Sequence, residues 1–240
     1  MKSFSTSTAA VAPVNLFYSK KPKSFDECCF VKHAIKNELA LYADNQLNGC
    51  ILLYGQYGTG KSTAAEMIAR DRGADFDDIH FVRLNGSQFG DVRKSSLLQN
   101  AMQWGIINHK TPVLIVDEVD VLSKESQIWL RSFIDTWQHR SLIMLTTNYI
   151  GNVDGSIRDR CDCLEIKGFT PTQASDVIME VLKNNGLKLD KCLIEQQAAL
   201  ELTSSDSLLS LRTVGRLCDK LALDAVSNNA PKPSIKLVTI

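Results

Sequence analysis

The most informative part of this sequence is Gly55-Gln56-Tyr57-Gly58-Thr59-Gly60-Lys61-Ser62, which fits the pattern G-x-x-x-x-G-K-[ST]. Glycines in this pattern let backbone N–H groups curl around an anion. An apolar run ends at Tyr54 and a helical pattern begins at Lys61, so the stretch lies between a strand and a helix, as the pattern requires. We therefore predict a loop that binds nucleotide phosphates at the amino-terminal end of a helix.

Two side chains of this loop have predicted tasks of their own. Lys61 is expected to reach the outer phosphates, and the Ser62 hydroxyl is expected to ligate Mg²⁺. The backbone of the loop and the first turn of the helix supply the other contacts to the nucleotide. The predicted nucleotide-binding residues of this segment are Gly55, Gln56, Tyr57, Gly58, Thr59, Gly60, Lys61, Ser62 and Thr63.

A second apolar run, Val113 to Val116, leads into two adjacent carboxylates, Asp117 and Glu118. Neighbouring side chains on an extended strand point in opposite directions, so the two carboxylates are able to act separately. We expect Asp117 to hold Mg²⁺, directly or through water, and Glu118 to act as a general base on an attacking water. The alternative is a buried strand with a polar end. Beside a phosphate-binding loop, the pair indicates hydrolysis of the nucleotide.

Asn148 and Arg212 are two further candidates for the site. Asn148 follows the apolar run Leu142 to Thr147, and its amide is expected to orient the attacking water or to contact the outer phosphate. The alternative is an ordinary turn residue. Arg212 begins the last predicted helix and is expected to reach the nucleotide across a cleft between domains. Its alternative is a solvated surface arginine.

Arg158 and Arg160 lie in a short basic segment before the last predicted strand. Either arginine is able to neutralise the charge that develops on a transferred phosphoryl group, and such an arginine can act from a neighbouring subunit. The alternative is an exposed stretch with local ion pairs. From the residues alone, the choice between the two arginines stays open.

The rest of the chain alternates apolar runs of strand length with helical patterns. The predicted strands are 50–54, 79–84, 112–116, 142–147 and 163–166, and the predicted helices among them are 30–45, 61–72, 92–108 and 124–139. Strands separated by helices predict an α/β fold, with a parallel sheet that is covered by helices on both faces. After Gly168 the alternation stops.

Three helical patterns without strands follow, at 172–184, 191–202 and 211–226, and predict a small all-helical lid domain. Thr170 is a suitable N-cap residue and Pro171 suits the first helical position, so we expect the lid to begin here. The predicted organisation is a flexible leader over 1–16, a nucleotide-binding domain over 17–168, a helical lid domain over 169–228 and a flexible tail over 229–240.

Composition restricts the class of protein. The 240 residues contain 27 Lys plus Arg and 27 Asp plus Glu, so there is no overall positive field that would attract nucleic acid. Seven cysteines without a CxxC pair indicate reduced thiols in the cytoplasm. No apolar run approaches the ~20 residues of a membrane span. Pro13 and Asn15 interrupt the place where a signal peptide would need an apolar core.

Taken together, these motifs resemble those of the AAA+ ATPases, over approximately residues 17–226. In that family the loop at Gly55 to Ser62 is the Walker A motif, Val113 to Glu118 is Walker B, Asn148 is sensor 1 and Arg212 is sensor 2. The resemblance implies a P-loop AAA+ fold with a helical lid and an enzyme that hydrolyses ATP with Mg²⁺. The catalytic residues that it implies are Lys61, Asp117, Glu118, Asn148 and an arginine finger.

Within this family the chain resembles sliding-clamp loaders, particularly the large ATPase subunits of T4-like bacteriophages. The segment from Phe17 to Cys28 is similar to the amino-terminal stretch that lines the adenine pocket of clamp loaders. The segment from Glu125 to Ile134 is similar to the helix that couples DNA contact to the ATP site of the adjoining subunit in that family. Asp159-Arg160-Cys161 is similar to their Ser-Arg-Cys box, which selects Arg160 as the finger. After Asn85-Gly86-Ser87, Arg93 and Lys94 begin a helix that touches the DNA backbone in that family.

This resemblance implies a homo- or hetero-oligomer of AAA+ subunits that acts with a sliding clamp and primer–template DNA in a bacterial or phage-infected cytoplasm. The sequence departs from it in two places. Asp159 replaces the usual serine, and the chain ends at Ile240 without the carboxyl-terminal helical collar of clamp loaders. We therefore expect that the collar lies elsewhere, that assembly depends on nucleotide and DNA, or that the role is a related one.

The related roles are those of a helicase loader, a transposition regulator or a phage-defence ATPase, which share the same site residues. A protein-remodelling chaperone would need an aromatic pore loop, for which Gln88-Phe89-Gly90 is a weak match. A scaffold that binds nucleotide without turnover is disfavoured by Glu118, because such a site has no use for a base.

Overall fold

The computed structural model describes residues 17, 22–73, 81–85, 97–107, 111–202 and 207–229. Within them a parallel five-stranded sheet forms the centre, in the strand order β2-β3-β4-β1-β5. The strands are β1 (Gly49–Tyr54), β2 (Phe81–Asn85), β3 (Val113–Asp117), β4 (Leu142–Thr147) and β5 (Asp162–Glu165). Because all strands are parallel, their carboxyl ends lie along one edge of the sheet.

Eight α-helices accompany the strands within the described residues. Five of them lie before residue 168: α1 (His33–Ala43), α2 (Lys61–Asp71), α3 (Leu97–Ile107), α4 (Lys124–Trp137) and α5 (Gly155–Arg158). The other three follow the sheet: α6 (Pro171–Asn184), α7 (Lys191–Leu200) and α8 (Leu211–Asn229). Short 3₁₀ turns span Phe25–Glu27, Val119–Val121 and Ile150–Asn152.

Side chains on β1 show why the sheet is covered on both faces. Ile51 and Leu53 belong to a buried cluster with residues of α1 and α2. Cys50 and Leu52 point to the opposite face, into a second cluster with residues of α3 and α4. Successive strand residues face opposite sides, so a strand that is buried on both sides needs the continuous apolar run that the sequence contains.

The three helices after the sheet have a core of their own. Thr170 caps α6 through a capping box with Gln173, and Pro171 is its first residue. Ala174, Ile178 and Ile194 are among the buried residues that pack α6, α7 and α8 together. Phe169 and Leu209 exchange backbone hydrogen bonds of 2.8 and 2.7 Å, which joins the entry of this helical unit to the start of α8.

The structure confirms the predicted fold class, a P-loop-type parallel sheet with helices on both faces followed by an all-helical lid. The predicted first helix, 30–45, is too long. The observed helix α1 begins only at His33, because the backbone of Lys32 is extended. The domain bounds at 17, 168 and 228 stay predictions.

Several predicted features lie outside the described residues. They are the leader, the tail beyond residue 229, the pore-loop candidate at 88–90, and the DNA-contact residues Arg93 and Lys94. Among the residues that the structure describes, no helix combines the length and the apolar character that crossing a membrane requires.

Candidate functional site

The loop from residue 55 to residue 60 owes its course to glycines at two close contacts. Gly55 has φ +141°, and a Cβ at this position would lie 2.3 Å from the backbone oxygen of Ile166. Gly58 has φ +72°, and a Cβ there would lie 3.2 Å from the Cβ of Arg212. A side chain at Gly55 would clash with the backbone of Ile166. At Gly58 a side chain would be strained by the left-handed backbone and would be tight against the lid.

Lys61 is folded back into this loop. Its Nζ donates hydrogen bonds to the backbone oxygens of Gly55 (2.8 Å) and Gln56 (2.7 Å) and to Oδ1 of Asn148 (2.9 Å). These bonds use all three donors of the ammonium group. Burial lowers the pKa of Lys61 to about 8, although the nearby carboxylates of Asp120 and Asp117 act in the opposite direction. A nucleotide phosphate would have to replace some of these oxygens.

Asp117 ends β3 with both carboxylate oxygens in use. Oδ1 accepts a hydrogen bond from the Thr146 hydroxyl (2.9 Å). Oδ2 accepts from Nε (3.0 Å) and Nη2 (2.9 Å) of Arg83, and Nη1 of the same arginine donates to Oε2 of Glu66 (2.9 Å). Asp117 is thus held from β4 on one side and from β2 and α2 on the other.

Glu118 does not continue the strand, contrary to the extended conformation that we predicted for it. Its φ of 59° and ψ of 50° place it in the left-handed region, where a non-glycine residue is strained by about 1–2 kcal/mol. Its backbone N–H donates to the Thr146 hydroxyl (3.2 Å), and its side chain is exposed. The turn at residue 118, and not the alternation of a strand, separates the two carboxylates.

The end of β4 supplies the neighbours of Asn148. Thr147 donates its hydroxyl to Oδ1 of Asp120 (2.9 Å) and accepts the backbone N–H of Tyr149 (3.0 Å). The ring of Tyr149 meets the ring of Tyr57 edge to face, with centroids 5.8 Å apart, so an aromatic contact also joins the loop to β4. Asn148 therefore occupies a fixed position, in which it contacts Lys61.

The oxygen donors at this edge fit a hard divalent cation such as Mg²⁺. Ser62 stands in the first turn of α2, and the Asp117 carboxylate is 13% exposed. Within the described residues no group of three or more His, Cys, Asp or Glu side chains is arranged to hold a metal ion. A site with few protein ligands is nevertheless what Mg²⁺ uses, because it keeps several waters and takes the rest of its ligands from nucleotide phosphates.

Arg160 lies at the opposite end of the sheet. Asp162, two residues later, pairs with Ile51 at the start of the segment that β1 and β5 share, whereas the phosphate-binding loop follows Tyr54. Four residues of strand span about 13 Å. Within the chain, Nε of Arg160 donates to Oδ1 of Asp135 on α4 (2.6 Å). The structure thus brings Lys61, Asp117, Glu118 and Asn148 together but keeps Arg160 apart from them.

Arg160 is held at this end in a defined orientation. Its Nη1 donates to the backbone oxygen of Ser156 (2.8 Å), and its side chain is 32% exposed. The hydrogen bond from Arg160 lowers the pKa of the Asp135 carboxyl. Arg160 also borders a cavity of about 380 Å³ that Asn48, Gln138 and Asp162 help to line. Arg158, whose side chain is exposed, belongs to the same end of the sheet.

Arg212 lies beside the phosphate-binding loop, in the first turn of α8. Its backbone N–H donates to the backbone oxygen of Gly58 (3.1 Å), and Ser210 caps the helix by accepting the N–H of Thr213 (3.0 Å). The first N–H groups of a helix have no acceptor within the helix. The Gly58 oxygen of the loop is the acceptor for one of them. The lid is thereby joined directly to the loop.

The segment predicted to line an adenine pocket, Phe17 to Cys28, is described at residues 17 and 22–28, and Phe30 and Val31 follow it closely. Phe30 packs against the core that contains Ile166, whereas Val31 packs against the core of the lid. The cavity that these residues border measures about 10 Å³, which is smaller than a nucleobase. Phe17 lies against Gly215 of α8, and its N–H donates to Oδ1 of Asp219 (3.1 Å).

Four residues at or near the predicted site residues were missed from the sequence. Arg83 and Thr146 contact Asp117, Asp135 contacts Arg160, and Asp120 contacts Thr147, which precedes Asn148. Arg83 was recognisable as a charge within an otherwise apolar strand pattern, and Thr146 as a polar residue at the end of another. Asp120 follows the carboxylate pair closely. For Asp135 we find no local signal, because its partner Arg160 is 25 residues away, in the turn that follows α5.

Comparisons with known proteins agree with this geometry. The model of the ATPase family associated with various cellular activities (AAA) matches residues 51–168. A probable replication factor C subunit 5 of Dictyostelium discoideum is 24% identical over 221 residues, which are 90% of this chain and 61% of that protein. A replication factor C small subunit of Methanocella arvoryzae is 27% identical over 146 residues, 59% of this chain and 44% of its own length.

Solved structures show the same fold. The Thermotoga maritima RuvB Holliday junction branch migration motor superposes with a TM-score of 0.56 at 22% identity, over 85% of this chain and 64% of that one. This chain thus spans less than two thirds of the length of these three proteins. With the phosphate-binding loop, the carboxylate pair and the parallel sheet in place, residues 51–168 of this chain belong to the ATPase family associated with various cellular activities.

Proposed function

We propose that this chain hydrolyses ATP as an AAA+ motor similar to a sliding-clamp loader subunit, and that it couples ATP binding and hydrolysis to the loading of a replication factor on DNA. The observation that carries the proposal is the hydrogen bond between Lys61 and Asn148 near the carboxylates of Asp120 and Asp117. Glu118 directly follows Asp117. Cationic, neutral and anionic groups thus meet where the carboxyl ends of three strands converge.

Each residue of the site has a chemical task in this proposal. Lys61 balances the charge of the outer phosphates, and Asn148 holds both this lysine and the attacking water in place. Glu118 accepts a proton from that water as it attacks the terminal phosphorus. Mg²⁺, held by Ser62 and Asp117, supplies positive charge next to the phosphate oxygens when it is bound.

Arg160 is the proposed finger, and it acts on the nucleotide of a neighbouring subunit. The support is its place at the far end of the sheet, about 13 Å of strand away from its own loop, and its two hydrogen bonds there. An oligomer of AAA+ subunits is therefore part of the proposal. Arg212 is proposed to sense the nucleotide from the lid, because its backbone already contacts Gly58.

The replication role has separate support. Relatives named replication factor C subunits align with 59–91% of this chain, and Asp159-Arg160-Cys161 resembles the finger motif of clamp loaders. We propose a sliding clamp and primer–template DNA as partners, with Arg93 and Lys94 as candidate DNA contacts. The seven cysteines, all of them free, favour the cytoplasm of a bacterium or of a phage-infected cell.

The experiment that tests the proposal is the steady-state rate of ATP hydrolysis over a series of protein concentrations, with and without primer–template DNA. We expect the rate per chain to rise with concentration, because each site needs a second subunit, and to rise again with DNA. The Glu118→Gln variant is the control for contaminating ATPases. A wild-type rate no higher than that of this variant, under all conditions, would contradict hydrolysis by this chain.

The same assay separates the proposed role from related ones. A rate that depends on concentration but not on DNA of any structure would contradict the clamp-loader role and leave the ATPase intact. Stimulation by an unfolded protein, in the absence of DNA, would instead indicate a protein remodeller.

A further inference from the structure

We propose that Arg83 is a positioning residue that keeps divalent cations out of the site until they arrive with nucleotide. This inference rests on the proposed function, because it takes Asp117 to be a metal-binding residue. Arg83 lies on β2, and no motif of the sequence assigned it a task. Its guanidinium stands between two carboxylates, 2.9 Å from Oδ2 of Asp117 and 2.9 Å from Oε2 of Glu66.

Carboxylate oxygens from β3 and α2 flank this guanidinium. Glu66 follows Ser62 by four residues on α2, and residues at this spacing share one face of a helix. The same helix face therefore carries the Ser62 hydroxyl and a carboxylate that is joined to Asp117 through Arg83. Without the arginine, the two carboxylates would lose the charge between them, on the helix face that also carries the Ser62 hydroxyl. Such hard oxygen ligands suit Mg²⁺ and Mn²⁺.

The three charged side chains of this cluster are partly exposed to solvent. The side chains of Arg83, Glu66 and Asp117 are 36%, 28% and 13% exposed. Solvent, and hence a hydrated cation, has access to the pair of carboxylates. Burial therefore does not keep a metal away from them. The positive charge of Arg83, held by hydrogen bonds at the place that a bridging cation would take, provides the obstacle.

Arg83 leaves only part of the Asp117 carboxylate available to other ligands. An ionised carboxylate has about four lone-pair directions. Arg83 uses two on Oδ2, and Thr146 uses one on Oδ1. The remaining direction suffices for one contact to a metal ion or to a water that it carries. A cation that brings its own phosphate ligands needs no more than this, whereas a bare cation needs several protein oxygens.

The test is binding of Mn²⁺ to the nucleotide-free full chain, measured by the electron paramagnetic resonance signal of free Mn²⁺. We expect weak binding to the wild type. Arg83→Met removes the charge but keeps an apolar stem, and should bind about one Mn²⁺ per chain about tenfold more tightly, because two adjacent carboxylates lose their neutralising partner. Arg83→Lys keeps the charge and should remain close to the wild type.

Arg70→Met is the matched control. Arg70 also contacts Glu66, at 3.5 Å, whereas Arg83 contacts both Glu66 and Asp117. Its removal takes the same charge from the same glutamate and should create no site. The double variant Arg83→Met with Glu66→Gln should lose the Mn²⁺ site that the single variant gains. This reversal distinguishes a new site from a general loss of structure, which circular dichroism monitors in parallel.

Three results would overturn the proposal: equal Mn²⁺ affinity of Arg83→Met and wild type, an equal gain in Arg70→Met, or tight Mn²⁺ binding by the wild type without nucleotide. The third result is measured on the wild type, so it tests the proposal even where substitution at Arg83 prevents folding. A parallel titration with ATP present tests the proposed function separately. A wild type that binds no ATP refutes that function, whereas the nucleotide-free titration reports on Arg83 in either case.

Discussion

Lys61 is the residue at which burial and charge oppose each other most directly. Its side chain is 6% exposed, and its pKa is lowered to about 8 by burial, against an ordinary value of 10.5. Its three hydrogen bonds go to neutral oxygens, which compensate for the loss of hydration but bring no full negative charge. Bound phosphates would bring that charge and restore the protonated form.

This leads to a prediction about pH. Below about pH 8 Lys61 is already charged in the free protein, so ATP affinity should not depend on this group. Above about pH 8 binding must take up a proton, so the apparent affinity should fall by up to about tenfold per pH unit. Calorimetry in two buffers of different ionisation enthalpy measures the uptake. If circular dichroism shows the protein to be folded at about pH 9 but ATP binding takes up no proton there, the lowered pKa of Lys61 is contradicted.

Glu118 combines a catalytic task with a strained backbone. Strain of this kind is often found at active sites, where the surrounding structure maintains it. Here the Thr146 hydroxyl holds the N–H of Glu118 and at the same time donates to Asp117, so one β4 side chain fixes both carboxylate residues. The turn at residue 118 directs the exposed glutamate away from the buried strand.

For this residue we predict that Glu118→Gln binds ATP with unchanged affinity but hydrolyses it about 10²–10⁴-fold more slowly, because an amide cannot accept the proton of the water. Binding of a fluorescent ATP analogue and single-turnover hydrolysis measure the two effects. Glu38→Gln, at an exposed position on α1, is the matched control and should leave both unchanged. A loss of binding in Glu118→Gln would indicate a structural role for the carboxylate.

At the scale of elements, the ends of β1 and β5 determine which nucleotide Arg160 is able to contact. The carboxyl end of β1 continues into the phosphate-binding loop, whereas Arg160 precedes the amino end of β5. Parallel pairing of the two strands therefore puts the loop and the arginine at opposite ends of the sheet. Asp135 on α4 then holds the guanidinium at that end.

A mixing experiment tests whether Arg160 acts between subunits. Arg160→Ala and Lys61→Ala should each bring hydrolysis to the background rate, the first without loss of ATP binding. In an equal mixture, about a quarter of the interfaces join an intact loop from one variant to an intact arginine from the other. Hydrolysis should therefore partly return on mixing. If the mixture stays inactive although subunits exchange, an arginine that acts in trans is excluded.

At the scale of the whole molecule, the lid and the sheet meet at the phosphate-binding loop. The N–H of Arg212 is bonded to Gly58, and a Cβ on Gly58 would lie 3.2 Å from both the Arg212 Cβ and the Ser210 Oγ. A change in the loop on nucleotide binding would thus reach α8 through a direct contact. This is the structural basis on which nucleotide would bias the position of the lid.

Gly58→Ala and Gly73→Ala make a matched pair for testing this contact. Both glycines have a left-handed backbone conformation, with φ of 72° and 76°. Substitution of either by alanine should therefore destabilise the fold by about 1–2 kcal/mol. A Cβ on Gly73 meets nothing within 4 Å, so only Gly58→Ala should push the lid away. Hydrogen exchange at the Arg212 amide should accelerate in Gly58→Ala alone. Equal acceleration in both variants would mean that backbone strain, and not contact with the lid, is responsible.

The amino-acid sequence alone was sufficient for the phosphate-binding loop, the carboxylate pair and the order of strands and helices along the chain. These features depend on residues that are close together in the sequence. Glycines at fixed spacing set the course of a loop, and a continuous apolar run indicates a strand that is buried on both faces. For the same reason the place of Asn148, at the end of such a run, was predictable without any knowledge of its partner Lys61.

Tertiary structure was necessary for everything that depends on the order of strands in the sheet. Arg83, Thr146 and Asp117 meet because β2, β3 and β4 are neighbours, and Lys61 meets Asn148 because β4 lies beside β1. Strand order and register follow from hydrogen bonds and burial between segments tens of residues apart, which no local pattern specifies. Likewise, the left-handed turn at Glu118 is maintained by Thr146 from the neighbouring strand, so it was invisible before the sheet was assembled.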